Sequence, residues 1–310
     1  MMSIESPVAT PFAAGREEGG IAITEQPFVE YLWSDLKARR NALSLWPEDL
    51  APLLGLDPAL YLTYEYDNPQ DVPDAAAGRR GAMKAIRAGA GSPDNVPAQF
   101  IDELADMEEF VADEAERLIE TAPDSGVVIL QVAIDQETFA SDYPDACTRL
   151  LEHPYPVTLQ HVAVGRAAAE LRRRGRDVEV YRGLRRFDLA AARAAVGLGK
   201  TETAYLLGIN VKSYFATERK GTIRQASLND LQKIDDFITD TASRLEVKEA
   251  NGASTIWATD DQKEFEKAYP TALIERSANP YPVRMLWVAA GRRAGELDAA
   301  GQAVRVAAID

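Results

Sequence analysis

Residues 35–65, DLKARRNALSLWPEDLAPLLGLDPALYLTYE, align without a gap to residues 188–218, DLAAARAAVGLGKTETAYLLGINVKSYFATE. Asp35/Asp188, Leu36/Leu189, Arg40/Arg193, Leu45/Leu198, Leu54/Leu207, Gly55/Gly208, Tyr61/Tyr214 and Glu65/Glu218 are identical pairs. A second block follows in the same order, with residues 143–180 aligning to 269–306. It matches Tyr143/Tyr269, Pro154/Pro280, Tyr155/Tyr281, Pro156/Pro282, Gly165/Gly291, Arg166/Arg292 and Leu171/Leu297. Two ordered blocks, each occurring twice, are the signature of tandem duplication.

The copies differ in the spacing between the blocks. The first carries an insertion, 68–97, whose Pro, Gly and Asp content reads as a long surface loop with one short basic helix around 76–88. Residues 1–26 lack periodicity and read as a flexible tail. The expected organisation is therefore that tail, a first repeat over 27–181 and a second over 182–310. Each repeat opens with a helical block, at 35–67 and 188–224, followed by an amphipathic helix at 98–120 and 227–246. Apolar residues recur there at steps of three and four: Ile101, Leu104, Met107 and Val111, then Leu228, Leu231, Ile234 and Ile238. A β-rich run (126–134, and the weaker 253–259) precedes a short helix ending near Tyr-Pro and a long one starting near Pro-Tyr-Pro-Val. Gly175 and Gly301 mark where the long helix stops, and DVEVY and AVRVAAI close each copy as a strand. The fold class expected is mainly α with a small β component, as two copies of a helical bundle joined to a two-stranded β-α-α-β module spanning 126–181 and 253–309.

Bulk composition narrows the function. No run of about 18 apolar residues marks a membrane span, and the N-terminal residues lack a signal-peptide pattern, so a cytoplasmic location is expected. One cysteine, Cys147, excludes an internal disulfide framework and a multi-Cys metal site. The net charge of −15 argues against a nucleic-acid partner, but the charge is unevenly divided. Residues 1–165 hold 10 Lys+Arg against 29 Asp+Glu, whereas 166–224 hold 14 against 6. Only the latter stretch attracts phosphate.

Within that stretch, Leu198 to Lys220 carries the motif. A helix over 200–207 ends at Gly208, which accepts the positive φ of a tight turn, and Asn210 caps the next helix. Ala204 is the small residue that two steeply crossing helices need, and Leu207, Ile209 and Tyr214 are placed to pack the pair. This is a helix-turn-helix pattern. Over 188–244 the chain resembles the Cro/lambda-repressor-like (Xre) helix-turn-helix family. With its β-α-α-β tail, each copy resembles the YdiL-like regulators that include the anti-CRISPR-associated repressors. Phe265, Tyr269, Pro270, Trp287, Leu297 and Gly301 carry the tail resemblance. Two copies in one chain depart from the single-copy pattern of that family.

The resemblance implies a recognition helix starting near Lys212 and Ser213, with Lys212 donating to guanine O6 or N7. Lys200 and Thr201 open the preceding helix, Asn210 caps the recognition helix, and Arg219, Lys220 and Arg224 flank the phosphate backbone. In the first copy Asp57, Pro58, Ala59, Leu60, Glu65 and Asp67 occupy the aligned region, leaving no cation, with Ala59 in the place of Lys212. That copy is expected to be a scaffold that lost its groove contacts, its acidic surface serving solubility or a basic protein partner. Expected partners are double-stranded DNA and a twin, met either in a homodimer or in a pseudo-dimer within the chain, through the β-α-α-β modules.

Other constellations fail on context. Gly197–Thr201 resembles the end of a phosphate-binding loop, but Ala194 stands at its first glycine and a helix precedes it. His153 and His161, the two histidines, lack ligand-spaced companions, so no metal or cofactor is expected. No nucleophile has a mirrored base, and the chain does not read as an enzyme.

Overall fold

The computed structural model describes residues 29–66, 68–73, 76–250 and 253–309, so the tail assigned to 1–26 lies outside the described residues. In the first half α1 (Trp33–Ala42), α2 (Pro47–Leu50), a 3-10 turn and α3 (Pro58–Glu65) precede α4 (Arg79–Arg87) and α5 (Ala98–Glu120). β1 (Val128–Val132), α6 (Gln136–Asp142), α7 (Thr158–Arg173) and β2 (Val178–Arg182) complete that half. A short β3 (Arg185–Arg186) leads into α8 (Asp188–Ala195), α9 (Lys200–Leu206), α10 (Val211–Lys220) and α11 (Gln225–Arg244). β4 (Val247–Ala250), β5 (Ala253–Thr259), α12 (Gln262–Ala268), β6 (Leu273–Ile274), β7 (Asn279–Pro280), α13 (Arg284–Ala299) and β8 (Val304–Ile309) end the chain. The architecture is mainly α with a small β component. No helix among the described residues is long and apolar enough to cross a membrane.

Local chemistry sets the element boundaries. Asp57, Asn210, Asp135 and Asp261 each accept backbone N–H bonds at a helix start. Ile101, Leu104, Met107 and Val111 of α5 are buried, as are Leu228, Leu231, Ile234 and Ile238 of α11. β1 alternates buried and exposed residues, matching a strand with one face on the core.

The sheets differ from the two-stranded expectation. β1 pairs in parallel with β2, and β5 with β8, with the equivalent registers Val128↔Val178 and Ser254↔Val304. Each pair gains a third, antiparallel strand, β3 beside β2 and β4 beside β5, recruited from the flanking connection. The additions fall on opposite sides: β4 covers the outer edge of β5, while β1 remains an edge strand with Ile129 exposed.

The two halves meet chiefly through helices, with α1 also touching β8 and α8 touching β2. α1 lies along α13, and α7 lies along α8. Among the described residues the ladder that crosses the boundary is the short β2–β3 hairpin, Tyr181↔Arg186 and Arg182↔Arg185, at the junction itself. Both crossings depend on glycine. A Cβ on Gly291 would strike the carbonyl of Ala38, and one on Gly165 would strike the carbonyl of Ala191. The aligned residues thus make the same contact twice, and the first helix of each repeat packs against the last helix of the other. Asp35 and Asp188 reinforce the exchange. Asp35 accepts from the backbone N–H of Val306 on β8 (2.5 Å), and Asp188 accepts from Val180 on β2 (3.2 Å). Burial pushes the Asp35 carboxyl up to about 7.

Polar groups fill the space between the halves. Arg39 reaches Glu108 (2.6 Å) and Asp298 (3.0 Å), while Arg292 reaches Asp235 (2.6 Å) and the carbonyl of Ala195 (2.8 Å). Burial pushes Glu108 up to about 7 and pulls Arg166 down to about 9. Gly291→Ala and Gly165→Ala are each expected to lower stability by about 1–3 kcal/mol, through overpacking against a backbone that cannot yield. Denaturant unfolding checks this; an unchanged midpoint would mean that the helices separate freely.

Candidate nucleic-acid interface

α9 and α10 are joined by a turn at Gly208, whose φ is 65°. Ala204, Leu207 and Tyr214 are buried between the helices and Ile209 is partly buried. The Asn210 side chain accepts from the N–H groups of Lys212 (3.1 Å) and Ser213 (3.3 Å), so its carboxamide oxygen serves the helix and not a ligand. Behind α10, Arg193 donates through Nε to Glu218 (2.8 Å) and through Nη1 to the carbonyl of Leu198 (2.9 Å). Arg40 repeats both bonds in the first half, to Glu65 (2.7 Å) and Leu45 (2.9 Å). The identities at these positions therefore preserve one buried ion pair that fixes the third helix of each block.

A groove of about 640 Å³ runs along α10. Lys200, Lys212 and Arg219 line it, together with Arg182 and Arg185 of the β2–β3 hairpin at the junction of the two repeats. The lining carboxylate is Glu218, held by Arg193 and also 3.8 Å from Lys200. Arg182 lies over the Phe187 ring (5.1 Å), and Arg185 donates to the carbonyl of Arg219 (3.0 Å). Among the described residues none of Arg182, Arg185, Lys212, Arg219, Lys220 and Arg224 is ion-paired. Five unpaired or under-neutralised cations facing one concavity create a positive field that a single paired carboxylate cannot cancel.

The groove gathers only part of the sequence-derived set. Lys200, Lys212 and Arg219 line it, whereas Thr201, Ser213, Lys220 and Arg224 are exposed outside its lining. Arg182, Arg185 and His161 also belong to it, the arginines from the β2–β3 hairpin at the junction of the repeats and His161 from α7, so no spacing within the helical block points to them. The arginines at the C-terminal end of α7 lie outside the groove and are engaged within the protein. Arg172 bonds Asp188, Arg173 bonds Glu170, Asp235 and Asp236, and Arg174 bonds Glu170.

The corresponding face of the first half is covered. α4 packs on α3, where Gly78 and Gly81 approach Ala59 so closely that a Cβ on either would collide with it. Ala59 is the counterpart of Lys212, so the insertion seals the position as well as the composition emptying it of charge. What remains is a smaller cleft of about 330 Å³, with Pro73, Ala76, Trp46 and Tyr66 among its lining residues and Leu62 and Trp287 buried behind it. No cluster of three or more metal-ligating side chains occurs among the described residues.

Comparison with known protein families, curated proteins and solved structures finds no match to the chain.

His161 borders the basic groove, its ring tilted against Phe187 (4.7 Å between centres), with no hydrogen-bond partner at its buried Nε2 among the described residues. Burial, with Arg182 and Arg193 nearby, holds its ring down to about 4. A histidine depressed in the folded state contributes stability above its ordinary pKa, and that contribution is lost as pH falls from about 6.5 through about 4. Glu108 and Asp35, raised to about 7, act with the opposite sign, so a difference measurement is needed. His161→Phe is expected to gain on the parent chain as pH drops across that window, by on the order of 3 kcal/mol at full protonation. Ring-proton NMR should show His161 titrating near 4; a value near 6.5 would place the ring in water.

Proposed function

We propose that the chain is a sequence-specific DNA-binding transcriptional regulator, a repressor of phage or mobile-element type, that reads duplex DNA through α9 and α10. The observation that carries this reading is the cationic groove along α10 in a chain whose net charge is −15. Phosphate attraction is local, and the groove gathers it on the exposed face of the one helix-turn-helix whose third helix is open. Lys212 and Ser213, exposed in the first turn of α10, read base edges. Arg182, Arg185, Arg219, Lys220 and Arg224 meet phosphates, which position the reader without selecting sequence. Catalysis has no part in this reading, and the site of action is the cytoplasm.

The first half contributes differently. α4 stands between α3 and any duplex, so α3 reads no bases. The outer face of α4 presents Arg80, Lys84 and Arg87 at helical spacing, all exposed and without an ion-pair partner among the described residues. These cations meet backbone phosphate flanking the site. One open reader per chain makes a two-fold operator the work of two chains, and two chains per duplex is the stoichiometry expected in sedimentation of the complex.

Mobility shift across a salt series, against operator candidates selected from a random duplex library, tests the proposal. Lys212→Ala is expected to weaken the selected site by about 1–3 kcal/mol and relax its sequence preference. Arg182→Ala with Arg185→Ala should weaken all duplexes alike and flatten the slope of log K against log salt by about 2. Absence of any shift at low salt would remove the regulator reading.

A further inference from the structure

The two parallel strand pairs are equivalent, but only one has its outer edge covered. In the second half β4 lies antiparallel on β5, with Lys248 opposite Thr255 and Val247 opposite Ile256. In the first half the connection from α5 to β1, residues 121–127, forms no strand. It contains Pro123, which has no N–H to give to a ladder. The edge of β1 is therefore left open where its twin is paired.

The register shows which backbone groups that edge presents. Val128 donates to the carbonyl of Asp177 (2.8 Å), as Ser254 donates to Ala303 (2.8 Å). Alternate residues Val128, Leu130 and Val132 thus face β2, and Ile129 and Gln131 turn their N–H and C=O groups outward. A groove of about 520 Å³ runs along this edge, lined by residues 128–134, with Arg117 and Thr121 at the end of α5 and Thr138 and Asp142 on α6. From Gly126 to Ile134 there is no charge and no proline, the residues that usually blunt an edge. Val127, Ile129 and Ile134 are exposed instead, 48%, 59% and 56%.

Charge around the edge decides what it can accept. Glu120, Asp124, Glu137 and Asp142 are exposed and have no ion-pair partner among the described residues. The nearby cations are engaged: Arg117 is held by Glu114 (2.7 and 2.8 Å), and Arg176 donates to the carbonyls of Pro123 and Gly126. A second copy would bring another acidic half, 10 Lys+Arg against 29 Asp+Glu over 1–165, against this one. The chain's own residues 1–28 hold four Glu and one Arg, and match the edge no better. We infer that the β1 edge is a docking site for an extended segment of another protein, apolar at alternate positions and flanked by Lys or Arg, added as a strand beside β1. Main-chain bonds to Ile129 and Gln131 supply the affinity, and the acidic surround selects the basic flanks.

Fluorescence anisotropy of the full chain, without DNA, tests this with a labelled peptide of alternating valine and threonine, carrying two lysines at each end. Saturable binding is expected, with a loss of about tenfold when glutamates replace the lysines. A strand shows its N–H groups to alternate sides, so of two peptides N-methylated on the alternate sets of amides one keeps its affinity and the other loses about tenfold. Gln131→Pro removes an outward N–H without touching the β1–β2 ladder, and should cause a similar loss with an unchanged circular dichroism spectrum. Equal binding by the two N-methylated peptides, equal binding by the lysine- and glutamate-flanked peptides, or no binding at millimolar concentration would overturn the assignment. So would tighter binding by a peptide copy of residues 15–28, or a dimer in sedimentation that Gln131→Pro dissociates, since either would give the edge a different occupant. Because no duplex is present, these outcomes are independent of whether α10 reads DNA.

Discussion

The approach of Ala38 to Gly291, and of Ala191 to Gly165, is the constraint on which the rest of the molecule depends. Backbone carbonyls reach the facing helix only where no Cβ intervenes, so each repeat's first helix is locked to the other repeat's last helix. Asp35 and Asp188 then cap a strand in the opposite module. Neither repeat completes its core alone: Ala191 and Ala194 belong to the first cluster, and Ala38 belongs to the second. The basic groove follows from this exchange, because its lining joins α7 and the β2–β3 junction to α9 and α10.

A shared scaffold has been given two surfaces. The Arg40–Glu65 and Arg193–Glu218 pairs hold α3 and α10 in equivalent places, behind faces that no longer resemble each other. On one side Lys212, Phe215 and Arg219 look onto open, cation-lined space. On the other, Tyr66 lines a cleft beside Trp46, and Leu62 is buried beneath α4's side of the helix pair. Exchange of side chains on one helix face, together with an insertion that folds back over it, is enough to convert one into the other. The buried ion pair tolerates this because it sits on the inner face, where Glu65 and Glu218 are shielded from solvent.

Much of the architecture was legible from periodicity and self-alignment. The spacing of Ile101, Leu104, Met107 and Val111 announced α5, and the Gly208–Asn210 pair announced the turn and cap before α10. The charge gradient located the basic half. What escaped was whatever depends on contact between repeats. Arg182 and Arg185 lie some thirty residues before Lys212, on the β2–β3 hairpin, and nothing in their spacing says that they share a groove with it. The short β3 and β4 have two and four residues, too few for an alternation to register. The insertion helix was visible, but its seat on α3 was not. Small residues such as Ala59, Gly78 and Gly81 make close packing possible without leaving a pattern. The match of Gly165 to Gly291 was visible as identity alone; only the crossing helix shows why a side chain is forbidden there.

The continuous backbone from β2 through β3 into α8 has a kinetic and stoichiometric consequence. Two separate polypeptides sharing such an interlocked joint would part on dilution, and would pair like with like as readily as unlike with unlike. Here the partners are present at a fixed ratio of one to one and at a high effective concentration set by a connection of a few residues. The joint between the repeats therefore survives at any protein concentration, and mismatched assembly of two identical halves is avoided. Under that guarantee either half is free to change its outer face, since the other cannot diffuse away.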